Sequence, residues 1–307
     1  MFDIVQRRRV YFILSGVIIG LGLLAMLFSW VTTGRPFNIG VDFQSGTRFE
    51  LQFTEPVQEG DIRAVFNEFG VNNPSVIELS GENLTNAWQI RTEFISADDA
   101  QAIEETLSGQ LAPLVPNTTL VESVSPTVGA EVSQAAFIAI LVAAVIMLGY
   151  VAFAFRQVPN SFRYGACAIS ALFHDLLVIF GFISIMGMVA GWEVDALFVT
   201  AILTVAGFSL QDTIVVFDRI RENLDRRPWD SYENIVSRSL LETVHRSLAT
   251  QLNAMFVMVA LILFGGASIQ HFISVLLVGL LSGTYSSIFH AVPLLAEWDL
   301  RRPQEVI

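Results

Sequence analysis

Six long apolar runs constrain this sequence more than any other feature. They occupy residues 10–31, 135–155, 164–190, 194–217, 248–264 and 272–295. An α-helix needs roughly 20 apolar residues to cross a bilayer, and each run is close to that length or above it. Only 15% of the residues are charged, whereas about a quarter are charged in an ordinary soluble domain. The sequence therefore predicts a membrane all-α bundle of six transmembrane helices.

The arginine residues predict how these helices are oriented. The chain has 17 arginines and no lysine, and a cytoplasmic N-terminus leaves thirteen arginines inside and four outside. Cytoplasmic segments of membrane proteins carry such an excess of basic residues. We expect both termini to be cytoplasmic. The first run is expected to be an uncleaved anchor, because no small-residue cleavage site follows it.

The segment between the first and second runs is long enough to fold outside the membrane. Between Arg35 and Glu131 the chain has fifteen acidic residues and four arginines. Strand-like and helix-like periods alternate in it as strand 48–53, helix 57–69, strands 76–79 and 87–94, helix 97–111 and strand 118–124. This βαββαβ order predicts a ferredoxin-like α+β extracytoplasmic domain. Its acidic surface is either a solvated face or a docking face for an unfolded or basic partner.

These patterns divide the chain into four segments. They are the N-terminus with helix 1 (1–34), the extracytoplasmic domain (35–130), helices 2–6 (131–296) and a cytoplasmic tail (297–307). In the extracytoplasmic domain, Ser96 is the expected N-cap of the second helix, and residues 81–83 are the expected turn between the middle strands. Cys167 is the only cysteine, so no internal disulfide forms, and a packing role is expected.

Ionisable residues inside the apolar runs indicate where a function lies, because burying a charge in a bilayer is costly. Asp212 lies six residues before Asp218, about 9 Å into the fourth helix. It is either a buried polar group that holds the bundle together or, as we favour, a proton carrier. Arg246 is either a cytoplasmic anchor or a mobile partner of Asp212. Ser209 and Thr213 are expected to bond Asp212 or to hold water.

A second polar pair lies near the middle of the third run. His174 and Asp175 are adjacent and can serve as partners, and the sequence leaves open whether the pair is structural or functional. His290, near the inner end of the sixth run, is expected to be a solvated end residue. The sequence contains no phosphate-binding loop, metal-ligand cluster or Ser-His-Asp set, so no enzyme activity is expected.

Four motifs resemble those of the SecF branch of the SecD/SecF protein-export family, which belongs to the RND superfamily of proton-driven transporters. The most specific motif is Gly207-Phe208-Ser209-Leu210-Gln211-Asp212-Thr213, followed by Asp218-Arg219-Ile220-Arg221. The others occupy residues 40–47, 246–250 and 283–289. Two residues depart from the family pattern: Gln211 replaces the usual Asn, and Ser45 replaces one Gly of a Gly-Gly pair.

The resemblance implies a function in protein export. It implies a protein of the bacterial inner (plasma) membrane that pairs with SecD and acts with the SecYEG channel and YajC. Such a subunit uses the proton-motive force to promote translocation and release of unfolded exported polypeptides. The coupling ion is H⁺, with Na⁺ left open, and neither a further cofactor, a metal nor a nucleic acid is implied.

The resemblance also assigns residues. Asp212 matches the proton-carrying Asp of the family, and Arg246 matches its essential Arg. Independently of the resemblance, their positions in the apolar runs make His174, Asp175, Ser209, Gln211 and Thr213 candidate accessory polar residues. The family motif and hinge residues are Gly40, Asp42, Gly46, Gly207, Asp218 and Arg219.

Two functions of other classes remain open from the sequence. One is an RND-type proton-coupled exporter of small molecules or lipids, for which an apolar substrate pocket between the helices would be evidence. The other is a passive scaffold of a translocon, although a scaffold has no need of a carboxylate as deeply embedded as Asp212.

Overall fold

The computed structural model describes residues 6–71, 74–81, 84–116, 118–156, 161–265 and 267–300. The described residues belong to two compact units. The helical unit is drawn from Met1–Pro36, Ala139–Ile185 and Leu197–Ile307, and the sheet unit from Phe37–Ile138 and Met186–Ala196. The predicted turn residues Glu82 and Asn83, and residues 301–307 of the predicted tail, lie outside the described residues.

The described helices are α1 (Arg8–Thr33), α2 (Val41–Gln44), α3 (Glu59–Glu68), α4 (Ala97–Gln110), α5 (Pro126–Ala154), α6 (Ser161–Ala190), α7 (Ala196–Arg226), α8 (Tyr232–Phe264), α9 (Ala267–Ser286) and α10 (Val292–Leu300). A π-helical turn, Ser287–Ala291, joins α9 to α10. The described strands are β1 (Asn38–Ile39), β2 (Gly46–Gln52), β3 (Ser75–Gly81), β4 (Leu84–Thr92), β5 (Leu120–Val124) and β6 (Glu193–Val194).

Six helical segments in the described residues are long and apolar enough to cross a membrane, which confirms the predicted six-helix bundle. They are α1, α5, α6, α7, α8 and the continuous segment Ile269–Trp298. α9 packs closely on α7, where a Cβ added at Gly279 would lie 2.4 Å from Val205 Cγ2. Only glycine therefore permits this approach.

The high charge of the segment after the fourth apolar run predicts a loop there, and the structure differs from this prediction. α7 continues to Arg226 and α8 begins at Tyr232, so most of this segment is helical. Ile220, Ile235 and Leu240 are buried along it. This apolar stripe at helical spacing stabilises helices whose opposite faces carry the charges.

The sheet unit contains a four-stranded sheet in the order β3-β4-β2-β5, in which all neighbouring strands are antiparallel. Its elements β2, α3, β3, β4, α4 and β5 follow the order predicted from the sequence. Phe49, Phe66, Ile90, Ile103 and Leu107 form its core. Ser96 caps α4 as predicted, because its hydroxyl accepts a hydrogen bond from the Asp99 backbone N–H at 3.2 Å.

A second, two-stranded sheet pairs β1 with β6 in parallel, with Asn38 opposite Glu193. The sequence did not predict this sheet, because strands of two residues have no readable period. It brings the segment between α6 and α7 into the sheet unit, beside the strand that follows α1.

Candidate functional site

Asp212 lies inside the helical unit, where 7% of its surface is exposed. Its one described side-chain partner is Gln251 of α8, whose Nε2 donates a hydrogen bond to Asp212 Oδ2 at 2.6 Å. Gln251 is itself buried. A neutral amide stabilises the carboxylate by a hydrogen bond but does not compensate its charge.

The structure does not bring Arg246 to Asp212. Arg246 is exposed, and in the described part of the chain no ion pair joins the two residues. Arg246 and Gln251 are five positions apart on α8, so they point about 140° apart around the helix. Sequence reasoning missed Gln251, although an amide inside the fifth apolar run was the available signal.

Among the described residues of the helical unit, Asp175 is the most completely bonded carboxylate. No part of it is exposed, and it accepts hydrogen bonds from three hydroxyls and contacts one imidazole. The distances are 2.6 Å from Ser209 Oγ, 2.6 Å from Ser282 Oγ, 2.7 Å from Ser286 Oγ and 3.1 Å from His174 Nδ1. These donors come from α6, α7 and α9, so Asp175 holds three helices together.

The motif residues on α7 have other partners than those predicted. Ser209 bonds Asp175 instead of Asp212. The Thr213 hydroxyl donates to the Ser209 carbonyl one turn earlier, at 3.1 Å. Gly207 and Gln211 are exposed. The reason is helical geometry. Ser209 and Asp212 are three positions apart on α7, so Ser209 faces α6 and α9 whereas Asp212 faces α8.

His290 is not the solvated end residue that the sequence predicted. Its Nε2 lies 3.0 Å from Ser170 Oγ, and its ring lies 5.2 Å from that of His174. The π-turn makes this possible, because the wider turn rotates His290 towards α6.

The C-terminal end of the motif forms a surface network of ion pairs. Asp218 is exposed and pairs with Arg221 at 2.7 Å. Arg219 pairs with Glu222 and, at 2.7 Å, with Glu242 of α8. These contacts join the ends of α7 and α8 and leave Asp218 and Arg219 without a contact to the buried carboxylates.

The glycine-rich segment 40–47 lies in the sheet unit. The Ala196 backbone N–H, at the start of α7, donates to Asp42 Oδ2 at 3.0 Å, and the Gly40 N–H donates to the Val194 carbonyl at 2.8 Å. Gly46 has φ +132°, and a Cβ there would lie 2.6 Å from the Thr92 carbonyl oxygen. Gly46 is therefore required, whereas Ser45 adopts φ +58°, which is strained for a residue with a side chain.

Glu193 is the buried carboxylate of the sheet unit, with 6% of its surface exposed. It forms ion pairs with Arg91 and, at 3.5 Å, with Arg48, and Gln89 Nε2 donates to it at 3.2 Å. Burial lowers the pKa of the Arg48 guanidinium, but Glu193 and Glu50 outweigh that effect and hold the pKa above its usual value. The periodicity of apolar residues in the sequence did not predict this cluster, because its members come from distant segments.

A cavity of about 340 Å³ lies between α5, α6 and α7 in the helical unit. Every residue that lines it is apolar, including Met147, Phe173 and Leu210. Binding sites for small molecules combine an apolar wall with a few polar groups that orient the ligand. This cavity has the wall and lacks the polar groups.

Known proteins resemble this chain over most of its length. Residues 104–301 match the family described as "Protein export membrane protein SecD/SecF, C-terminal". Residues 30–57 match the "SecD/SecF GG Motif". The protein translocase subunit SecF of Thermobaculum terrenum is 41% identical, and the alignment covers 97% of this chain and 94% of that relative.

Two longer proteins match it as well. The protein translocase subunit SecDF of Bacillus subtilis is 34% identical over 98% of this chain and 38% of its own length. The crystal structure of SecDF from Thermus thermophilus, a translocon-associated membrane protein, superposes with a TM-score of 0.79 at 28% identity. That superposition covers 98% of this chain and 39% of the SecDF chain.

Proposed function

Because the chain belongs to the SecD/SecF family of protein-export membrane proteins, we propose that its helical unit couples ion movement to protein export. The chain is a multi-pass accessory subunit of the Sec protein translocase. The observation that carries the coupling proposal is Asp212, a buried carboxylate in an apolar helix with a neutral amide as its partner. Such a group changes its net charge when it takes up or releases a proton.

Arg246 completes the proposed cycle. In the described arrangement it is exposed and Gln251 occupies the place beside Asp212. A movement of α8 would replace the Gln251 amide beside Asp212 with the Arg246 guanidinium. The positive charge would favour the ionised carboxylate, and Asp212 would release its proton. The coupling ion is a proton on this proposal, and Na⁺ is the alternative ion.

SecD is the expected partner in the membrane. The SecDF relatives carry both subunit names on one chain, and this chain matches 38% and 39% of their lengths. We extend the proposal to SecYEG and YajC as further partners, and to unfolded exported polypeptides as the substrate.

We assign the sheet unit to the ferredoxin-like class and place it outside the membrane. The order βαββαβ and the antiparallel sheet β3-β4-β2-β5 support the class. Thirteen of the arginines lie in the termini and around the connections from α5 to α6 and from α7 to α8. This excess supports a bacterial inner-membrane protein with both termini in the cytoplasm.

The exporter alternative is not favoured. The apolar cavity beside α5 is the feature that would support it, but no polar group lines the cavity. The curated relatives are protein translocase subunits.

Export into inverted membrane vesicles tests the coupling proposal. Asp212→Asn nearly preserves shape and removes the titrating group, so we expect the gradient-dependent part of export to be lost while binding to SecD persists. Arg246→Lys keeps the charge but loses the planar guanidinium, and partial activity is expected. Asp218→Asn, an exposed carboxylate on the same helix, is the matched control. Wild-type export by Asp212→Asn under a proton gradient would refute the coupling.

A further inference from the structure

Two histidines of the helical unit lie beside buried Asp175 and have no role in the coupling described above. His174 Nδ1 lies 3.1 Å from Asp175 Oδ1, and the rings of His174 and His290 are 5.2 Å apart. His290 belongs to the π-turn Ser287–Ala291, and π-turns frequently occur at functional sites.

We propose that His174 and Asp175 form a second proton-accepting site in the helical unit, supplied through His290. The proposal rests on the proposed function, because a second proton site is useful only to a subunit that moves protons.

Ser15 of α1 supplies an adjustable hydrogen bond at this site. Its Oγ lies 3.2 Å from His174 Nε2 and 3.4 Å from Tyr285 Oη. While His174 is neutral and its Nδ1–H donates to Asp175, the Ser15 hydroxyl donates to Nε2. When a proton binds Nε2, the hydroxyl turns, accepts from Nε2–H and donates to the Tyr285 oxygen. Tyr285 Oη–H donates to the Tyr11 carbonyl at 2.9 Å in both states, so no donor loses its acceptor.

The carboxylate compensates the charge that His174 gains. Asp175 is bonded by three neutral hydroxyls and the imidazole, so its negative charge is solvated but not cancelled. A proton on His174 converts a buried anion into a neutral ion pair, which is the less costly state in an apolar bundle. Among the described residues, the other titratable groups that face the pair are Tyr285 of α9 and His290 of the π-turn, and Tyr11 of α1 contributes its backbone carbonyl.

His290 provides the entry to the site. Its Nε2 contacts Ser170, and its Nδ1 is buried and has no hydrogen-bond partner in the described part of the chain. That nitrogen can bind a proton beside the His174 ring, whose centroid lies 5.2 Å from that of His290.

The site connects to Asp212 through α7. Ser209, which donates to Asp175, lies about one helical turn before Asp212, on the neighbouring face of α7. Proton uptake at His174 weakens Asp175 as the acceptor of the Ser209 hydrogen bond. The change is thereby transmitted to α7, the helix that carries Asp212.

Nitrogen NMR of the full chain in lipid vesicles, with ¹⁵N-labelled histidine, tests the site directly. The chain has four histidines, and His245→Gln and His271→Gln assign two of them and serve as controls. We expect the His174 nitrogen signals to change as the pH is varied between about 5 and 8, the range in which an imidazole ordinarily exchanges a proton. Asp175→Asn should move the midpoint of this change to lower pH, because the compensating carboxylate is lost.

Ser15→Ala should also move this midpoint, whereas Ser29→Ala should not. Ser29 is a buried serine on the same helix that donates to the Arg35 carbonyl instead. Constant His174 signals across this pH range in the unmodified chain would overturn the proposal without requiring any variant to fold.

Vesicle export separates this proposal from the coupling at Asp212. We expect His174→Gln and His290→Gln each to reduce gradient-dependent export about tenfold and to change its pH profile. If Asp212→Asn loses gradient-dependent export while both histidine variants keep the wild-type rate and pH profile, the second site is refuted and the coupling stands. If Asp212→Asn exports normally, the coupling itself fails.

Discussion

The two units of this protein both bury carboxylates, but they compensate them by different means. In the sheet unit, Glu193 contacts the guanidinium groups of Arg91 and Arg48. In the helical unit, Asp175 contacts hydroxyls and an imidazole, and Asp212 contacts the amide of Gln251. Charged partners are used in one unit, and neutral or titratable partners in the other.

This difference separates a structural role from an ion-carrying one. An arginine partner is always charged, so an ion pair with it favours one protonation state of the carboxylate. A hydroxyl or an amide stabilises the carboxylate without cancelling its charge, so the net charge of the site changes when a proton binds. We therefore expect Glu193 to support folding and Asp212 to support ion movement, whereas Asp175, which joins three helices, supports both.

The comparison is most severely tested at Asp175. Asp175→Ala removes the acceptor of three buried hydroxyls and the partner of one imidazole, and we expect the helical unit to lose about 4 kcal/mol of stability. Buried Cys167 of α6 is a natural probe, since a maleimide reacts with it only after the unit opens. Asp218→Ala, at an exposed position, should leave the labelling temperature unchanged, and unchanged labelling in Asp175→Ala would mean that the hydroxyls find other acceptors.

Glu193→Gln tests the opposite side of the comparison. The substitution leaves two partly buried guanidiniums without their shared carboxylate, and we expect a loss of about 3 kcal/mol in the sheet unit. Hydrogen exchange of β2 and β4 measures it. Adding Arg91→Gln should restore part of the loss, and exposed Glu78→Gln of β3 is the control. Faster labelling of Cys167 in Glu193→Gln would contradict a role confined to the sheet unit.

Gln251→Leu tests whether Asp212 requires its amide partner. A hydrogen bond to a charged group contributes about 2 kcal/mol, so its loss should favour the protonated carboxylate roughly thirtyfold. Gradient-dependent export should fall accordingly and recover partly at higher pH. Gln211→Leu changes the exposed glutamine next to Asp212 and should have little effect. Equal rates for the two variants would show that Gln251 is dispensable.

The smallest expected effect concerns backbone strain. Among the described non-glycine residues, Ser45 and Asn86 have a positive φ, and both lie in the sheet unit. Ser45→Gly should stabilise that unit by about 1 kcal/mol, because glycine adopts the positive φ without a Cβ penalty. Asn86→Gly should change stability less, because asparagine tolerates a positive φ. Hydrogen exchange of β2 distinguishes the two, and a destabilised Ser45→Gly would show that the Ser45 side chain contributes more than its strain costs.

The sequence by itself determined the six helical spans, the order of strands and helices in the sheet unit, and the position of Asp212 as an ionisable group inside an apolar run. These features depend on local periods and on the cost of placing an ionisable group in an apolar run, and both can be read along one segment. The helical extension of α7 and α8 beyond the apolar runs also had a local signal, in the buried stripe of Ile220, Ile235 and Leu240.

Only the tertiary structure decided which side chains meet. It placed Gln251 beside Asp212 and left Arg246 exposed, and it gave Ser209 to Asp175. It also joined Glu193 to Arg48, which lies 145 positions earlier in the chain. The physical reason is that contacts between helices depend on their rotation and on close approaches such as Gly279 against Val205. A rotation of one helix by a single residue, about 100°, changes every partner and leaves the apolar pattern of the sequence almost the same.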